Sequence, residues 1–287
     1  MDREAELTII RRAYAQQILA IADVREPRLE DAYATVKREA YLGPGPWQIF
    51  RIPFSYGPTP GADPVYLYCN TLFGIVPERQ LNNGEPSSHA MWIAAALPKE
   101  GDHVVHIGAG VGYYTAILAH LAGPTGRVTA IEFDADLAHR AADNFREAPN
   151  VTVLSGDGAT LPFDEADVIY VNAGATRPLD HWLDRLKDGS RLMVPLTTDR
   201  NFTAAGSPHG WGAYFLITRQ GAEYLARWVS YVAVFPCESA RDAGSEAALR
   251  EAFQTPRWNE VTRLYRTGDR PPEQCWLRAP GWSLAYS

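Results

Sequence analysis

The chain has 287 residues, 46% hydrophobic and 21% charged, with a formal net charge of −7. That length suits one large α/β domain with additions, or two small domains, and the balance is that of an ordinary globular protein rather than a disordered one. The acidic charge, with Lys and Arg spread thinly, argues against a protein that coats nucleic acid, and no run approaches the roughly 18 apolar residues of a membrane span. Three scattered cysteines, Cys69, Cys237 and Cys275, offer neither a disulfide framework nor a Cys-x-x-Cys pair, so no metal is expected. The opening Met-Asp-Arg-Glu-Ala-Glu lacks the cationic end and apolar stretch of a signal peptide, which makes the cytoplasm the expected location.

Leu7, Ile10, Tyr14, Ile18 and Ile21 recur at three- and four-residue steps, which predicts an amphipathic helix over 5–22. A second helix is expected at 29–38. Residues 43–64 are dense in proline and glycine and read as a long loop rather than regular structure, of the length that serves as a lid or binding element. With Pro86 in a first turn, 86–97 predicts a further helix. An alternation then begins, with strands at 103–107, 127–132, 151–155, 167–171 and 190–196 and helices at 112–122, 135–147 and 178–187. This predicts an α/β fold with a doubly wound, mostly parallel sheet, whose ligands bind beyond the C-terminal strand ends. From Gly212 two antiparallel strands around Gln220-Gly221 are expected to close the sheet as a terminal hairpin. A helix near 245–253 and a tail carrying Trp258, Trp276 and Trp282 follow, and the tail is expected to pack on the domain.

The chemistry concentrates where the first of these strands ends. Val104-Val-His-Ile-Gly108-Ala-Gly110-Val-Gly112 breaks an apolar run into alternate glycines and resumes as a helix. Such a loop lets backbone N–H groups approach a ligand without Cβ obstruction, and the helix N-terminus favours negative charge. Several nucleotide-binding families begin this way. The dinucleotide fingerprint needs Gly-x-Gly-x-x-Gly, and Tyr113 stands at its third glycine position, whereas Gly-x-Gly-x-Gly is the spacing associated with S-adenosylmethionine. The next strand ends at Glu132, twenty residues past Gly112, where a carboxylate suits two ribose hydroxyls. The third ends at Gly156-Asp157-Gly158, which suits the adenine amino group.

Ile107-Gly-Ala-Gly-Val-Gly-Tyr-Tyr-Thr-Ala, Gly126-Arg-Val-Thr-Ala-Ile-Glu132, Gly156-Asp-Gly-Ala, Val171-Asn-Ala-Gly-Ala175 and Leu186-Lys-Asp-Gly-Ser-Arg-Leu-Met-Val-Pro195 together resemble the protein-L-isoaspartate O-methyltransferase family. Upstream, Arg28 to Tyr41 is similar to that family's segment ending in Val-Pro-Arg-Glu-x-Phe, and downstream Val229 to Pro236 is similar to its last strand. The resemblance covers roughly residues 9 to 236. It implies a class I methyltransferase fold and transfer of the S-adenosylmethionine methyl group to a carboxylate of a peptide or protein, in the family an isoaspartyl one. A carboxylate is already ionised at neutral pH, so no general base is required, and the protein supplies in-line positioning and exclusion of water. Gly108, Ala109, Gly110, Gly112, Glu132, Phe133, Asp157 and Gly158 are expected to hold the cofactor, with Asn172 facing its methionine part or the acceptor.

The chain leaves the family's pattern at three places. The family's substrate segment reads Ile-Ser-x-Pro; here Asn83-Gly84-Glu85-Pro86 puts glycine in place of the serine and adds a carboxylate beside it, which opposes an acidic substrate unless it points away. Asn83, Ser87 and Ser88 are the candidate replacement groups, although Asn83-Gly84 also reads as a turn before a helix. His89 matches a histidine that some eukaryotic members place against the cofactor, and equally reads as a helix-surface residue. His106 stands where the family has an acid for the cofactor's ammonium group; it reads either as a cofactor contact, with binding lost below about pH 6, or as a strand residue filling core space.

The expected organisation is a helical and loop region over 1–85 contributing to the acceptor site, an S-adenosylmethionine-binding domain over 86–236, and an extension over 237–287. The first alternative is a related methyltransferase acting on another acceptor, such as a biosynthetic peptide or a small molecule. The second is a cofactor-binding protein without catalysis.

Overall fold

The computed structural model describes residues 2–51, 55–201 and 210–287. In chain order the longer helices are α1 Arg3–Ile21, α2 Pro27–Thr35, α3 Glu39–Leu42, α4 Pro86–Ala96, α5 Tyr113–Ala122, α6 Ala135–Asn144, α7 Asp180–Asp184 and α8 Ala243–Ala252. The strands are β1 Gln48–Arg51, β2 Ser55–Pro58, β3 Phe73–Val76, β4 Leu81–Asn82, β5 His103–Ile107, β6 Arg127–Glu132 and β7 Val151–Ser155, then β8 Ala166–Val171, β9 Leu186–Asn201, β10 Gly210–Gln220, β11 Glu223–Val234, β12 Arg263–Tyr265, β13 Cys275–Ala279 and β14 Trp282–Ala285. The chain separates into two compact units, Met1–Gly101 with Ala109–Ser155, and Asp102–Gly108 with Gly156–Ser287. No helix among the described residues is long and apolar enough to cross a membrane.

In the first unit, α1 starts at Asp2, whose carboxylate accepts from the Ala5 N–H at 2.8 Å, and buries Leu7, Arg11, Tyr14, Ile18 and Leu19 against its neighbours α2 and α4. α6 is capped by Asp134, which accepts from the N–H groups of Asp136 and Leu137, both at 3.0 Å. β6 and β7 pair in parallel from Val128↔Val151 to Glu132↔Ser155, as the alternating pattern predicts.

The proline-rich stretch departs from the expected loop. Residues 48–51 and 55–58 form a hairpin, and β1 pairs with β3, giving a small antiparallel sheet in the order β2-β1-β3-β4 around buried Trp47, Leu67 and Phe73. Prolines 58, 60 and 64 sit at or beyond the strand end, where they remove no ladder hydrogen bond, so their density marked the boundaries and hid the strands. Residues 52–54 of that expected loop lie outside the described residues.

The second unit orders its strands β13-β14-β12-β11-β10-β9-β8-β5. β5, β8 and β9 run parallel, while β9, β10 and β11 form an antiparallel meander. Two expectations are corrected here. The helix expected at 178–187 is only Asp180–Asp184, because Leu186 already pairs with Ala166 as the start of β9. The β10–β11 hairpin does not end the sheet: Tyr224 and Leu225 pair with Leu264 and Arg263 of β12, and β14 and β13 follow. The tail's indoles are tied down, Trp282 Nε1–H donating to Ser245 Oγ at 2.9 Å and Trp276 Nε1–H to the Ala252 carbonyl at 3.0 Å.

Candidate functional site

β6 delivers Glu132 at its C-terminal end with only 8% of its surface exposed. One carboxylate oxygen accepts from the Gly110 N–H at 2.7 Å and the other from the Asp134 N–H at 2.9 Å. Burial pushes this carboxyl up, and the N–H groups of Asp134 and Gly110 pull it back down. A buried acid held from two sides by backbone donors has fixed orientation and keeps lone pairs for two further donors. Above it, a Cβ placed on Gly110 meets only Ile75 Cδ1, at 4.0 Å, so the backbone faces open room. Gly112 is glycine for another reason: its Cβ would lie 2.4 Å from Phe145 Cε2. Ala109 N–H donates to the Ile131 carbonyl at 3.2 Å, and Phe133 stands 63% exposed beside Glu132.

In the second unit the ends of β5 and β8 meet. Asn172 N–H donates to the Ile107 carbonyl at 2.7 Å, and a Cβ on Gly108 would be 2.9 Å from the Asn172 carbonyl oxygen. Gly158 fits against Ile107 for the same lack of a side chain, and its carbonyl accepts from the Trp182 indole at 2.8 Å. Asp157 folds its own turn, with one carboxylate oxygen accepting from the Ala159 N–H at 2.9 Å and the carbonyl accepting from the N–H groups of Thr160 and Leu161. The loop after β8 is pinned by Gly174 N–H to the Phe235 carbonyl at 2.7 Å and Cys237 N–H to the Gly174 carbonyl at 2.9 Å. Burial, with the Asp157 charge adding to it, pushes the Cys237 thiol up to about 12, so it is not a nucleophile.

His106, opposite Tyr170 in the β5–β8 register, is 1% exposed, and burial lowers its pKa to about 3. The imidazole is therefore neutral throughout the ordinary pH range, and a loss of binding near pH 6 does not follow from it.

The segment from Asn82 to His89 is interlocked. Gly84 has φ +74°, and a Cβ there would lie 2.3 Å from His89 Nε2. The His89 ring stacks on Tyr114 with centroids 3.5 Å apart and planes at 6°, and meets Trp92 edge-on at 5.0 Å. Tyr114 in turn donates its hydroxyl to the Gly84 carbonyl at 3.2 Å, which ties this segment to the helix that starts just past the glycine loop. His89 is 1% exposed, so it is not a helix-surface residue.

The proposed replacement groups are largely committed to one another. Asn83 clamps β3, its N–H donating to the Phe73 carbonyl at 3.0 Å and its side-chain oxygen accepting from the Phe73 N–H at 2.9 Å. Ser87 exchanges bonds with Asn70, and Ser88 donates to Glu85 at 2.7 Å. Glu85 itself is exposed and turned toward Ser88 and Asn70.

Several contributions are absent from the motif reading. Asn70 and Ile75 act through contacts distant in sequence, and Tyr114, although within the quoted glycine-loop motif, acts through its contacts with Gly84 and His89. Arg38 lies within the Arg28–Tyr41 segment that carries the family resemblance, but its part is visible only in three dimensions. Fully buried, its guanidinium donates to the carbonyls of Leu67 (2.6 Å), Cys69 (3.1 Å) and Thr71 (3.2 Å) and lies over the rings of Phe73, Tyr113 and Tyr14. It forms no ion pair among the described residues.

Residues 66–206 match the family model described as protein-L-isoaspartate(D-aspartate) O-methyltransferase. A relative of that name from Brucella anthropi is 30% identical over 208 residues, covering 70% of this chain and 80% of the relative. One from Ignicoccus hospitalis is 36% identical over 121 residues, covering 41% of this chain and 57% of the relative. Among solved structures, a protein-L-isoaspartate O-methyltransferase superposes with a TM-score of 0.61 at 18% identity, covering 89% of this chain and 74% of that one. A Plasmodium falciparum chain solved in complex with S-adenosyl-L-homocysteine gives 0.59 at 15% identity, covering 79% of this chain and 97% of that one. The fold is that of the class I methyltransferases, an α/β arrangement with a mostly parallel core and added antiparallel strands. On the Brucella match and the motifs around the glycine loop, the chain belongs to the protein-L-isoaspartate O-methyltransferase family.

Proposed function

We propose that this chain transfers the methyl group of S-adenosylmethionine to a carboxylate of a peptide or protein, with an isoaspartyl side chain as the leading acceptor. The observation that carries the reading is Glu132: a buried carboxylate fixed by the Gly110 and Asp134 N–H groups, beneath a glycine whose face is open. The clamped carboxylate under an open glycine fits the cofactor's ribose. Glu132 would accept from the ribose hydroxyls, Asp157 and Gly158 would meet the base, and Gly108, Ala109, Gly110 and Gly112 would admit the cofactor close to the backbone, with Phe133 and Asn172 at its flanks.

When bound, S-adenosylmethionine supplies a methyl group on a positively charged sulfur. The chain's own part is positional. An ionised acceptor needs no proton removed, so the segment from Asn82 to His89 has to hold one carboxylate oxygen in line and exclude water. Asn83, Ser87 and His89 are buried polar groups within five residues of Gly84, and the reading assigns them, with Ser88, to shaping that pocket. Residues 1–85 contribute to the acceptor site, 86–236 carry the cofactor, and the 237–287 extension supports the sheet. The cytoplasm is the proposed location.

The test is transfer from methyl-labelled S-adenosylmethionine to matched isoaspartyl, aspartyl and C-terminal carboxylate peptides. Base-labile label on the isoaspartyl peptide alone is the expected outcome. Binding of S-adenosylmethionine with no label on any peptide overturns carboxyl methylation, and binding of a nicotinamide dinucleotide in its place overturns the cofactor.

A further inference from the structure

We infer that Glu85 sets acceptor specificity by selecting peptides that carry a cationic residue next to the methylated carboxylate; this rests on the carboxyl-methylation reading. Glu85 is placed by its neighbours. It directly follows Gly84, whose carbonyl accepts from Tyr114 near the start of α5, the helix that opens at Gly112. The Gly84–His89 contact and the His89–Tyr114 stack leave that backbone little freedom, so Glu85 is held at the edge of the glycine loop's own helix.

Its carboxylate is exposed yet oriented: one oxygen accepts from Ser88 Oγ at 2.7 Å, and the other lies 3.5 Å from Asn70 Nδ2. It does not cap α4, since no N–H of the first turn donates to its side chain. Nor does any Lys, Arg or His form an ion pair with it among the described residues; Arg79 pairs with Asp134 and Arg38 is buried against carbonyls. An unpaired carboxylate beside a site for an anionic acceptor repels that acceptor. A Lys or Arg in the acceptor peptide, one or two residues from the reacting carboxylate, turns that repulsion into attraction. The side chain is in water, so the effect is modest and sensitive to salt.

The experiment uses three isoaspartyl peptides that differ only in the residue two places beyond the acceptor: Lys, Gln or Glu. Rates are measured at low salt and at about 0.5 M salt with the wild-type chain, Glu85→Gln and Glu85→Lys. For the wild type we expect kcat/KM to fall in the order Lys, Gln, Glu, by roughly three- to tenfold per step at low salt, carried by KM, and to converge at high salt. Glu85→Gln levels the series and Glu85→Lys inverts it. A purely structural role for Glu85 lowers thermal stability and leaves the order intact, which overturns the inference, as does equal methylation of all three peptides by the wild type. That second outcome leaves carboxyl methylation standing. Methylation of none of the three overturns the isoaspartyl acceptor and takes this inference with it, and carboxyl methylation itself falls only if the aspartyl and C-terminal peptides also stay unlabelled.

Discussion

The floor under Gly110 and the segment from Asn82 to His89 lie in the same compact unit and hold their polar groups in opposite ways. The floor is made by backbone: two N–H groups clamp Glu132, and the glycine above it is left empty. The upstream segment is made by side chains that engage one another, with His89 filling the space at Gly84 and Asn70, Ser87, Ser88 and Glu85 joined in a chain. Backbone clamping needs few residue identities, so such a floor tolerates wide sequence change. Side-chain interlocking needs every member, so that segment is where single changes are costly.

The largest effect should come from beneath the interlocked segment. Arg38→Leu leaves the carbonyls of Leu67, Cys69 and Thr71 without their donor, and urea unfolding should show a loss of about 3–5 kcal/mol. A loss below about 1 kcal/mol would mean that the upstream segment does not depend on this buried charge.

Gly84→Ala comes next. A positive φ and a Cβ 2.3 Å from a buried ring should cost about 2–4 kcal/mol, and the same change in a His89→Ala background should cost at least 1 kcal/mol less. Additive costs in that cycle would show that the two positions are not interlocked.

On the floor, Glu132→Gln keeps the shape but turns a donor toward backbone donors. Calorimetry with S-adenosylhomocysteine should give roughly ten- to hundredfold weaker binding. If Glu132 binds the ribose as proposed, its raised carboxyl also means that affinity declines on acidification earlier than for an ordinary glutamate, since the ionised form accepts from two hydroxyls.

The smallest effect concerns stability against pH. His106 has a folded pKa of about 3, below its unfolded value, so the folded state binds fewer protons. Its contribution is fully present above about pH 6.5 and is lost by about 1.4 kcal/mol per pH unit as the pH falls from there toward the folded pKa of about 3. Subtracting the His106→Phe profile from the wild-type profile should isolate this slope; identical profiles would refute the buried neutral imidazole.

Much of this was legible in the sequence. The apolar runs at 103–107, 127–132 and 151–155 are strands with those bounds, because a parallel core strand is continuous hydrophobic sequence closed by a glycine or an acid. The glycine spacing and Glu132 led to the family for the same reason: backbone clamping leaves a local signature. The 43–64 hairpin was hidden by its own prolines, and the small sheet it joins was hidden because β1 finds its further partner β3 more than twenty residues away, from Gln48 to Gly74. The strands β12 to β14 were hidden because runs of three to five residues carry too little periodicity. In the segment from Asn82 to His89 the sequence exposed the departure at Gly84 but not its cause, since nothing in the spacing of 84 and 89 says that an imidazole fills the missing side chain's place.

That filled place has a consequence for how such a chain can diverge. Restoring a serine at position 84 alone drives a side chain into His89, and trimming His89 alone opens a void beside Tyr114 and Trp92. Each single step descends before the double change can recover, so Gly84 and His89 behave as a ratchet. Changes at exposed neighbours such as Glu85 meet no such barrier.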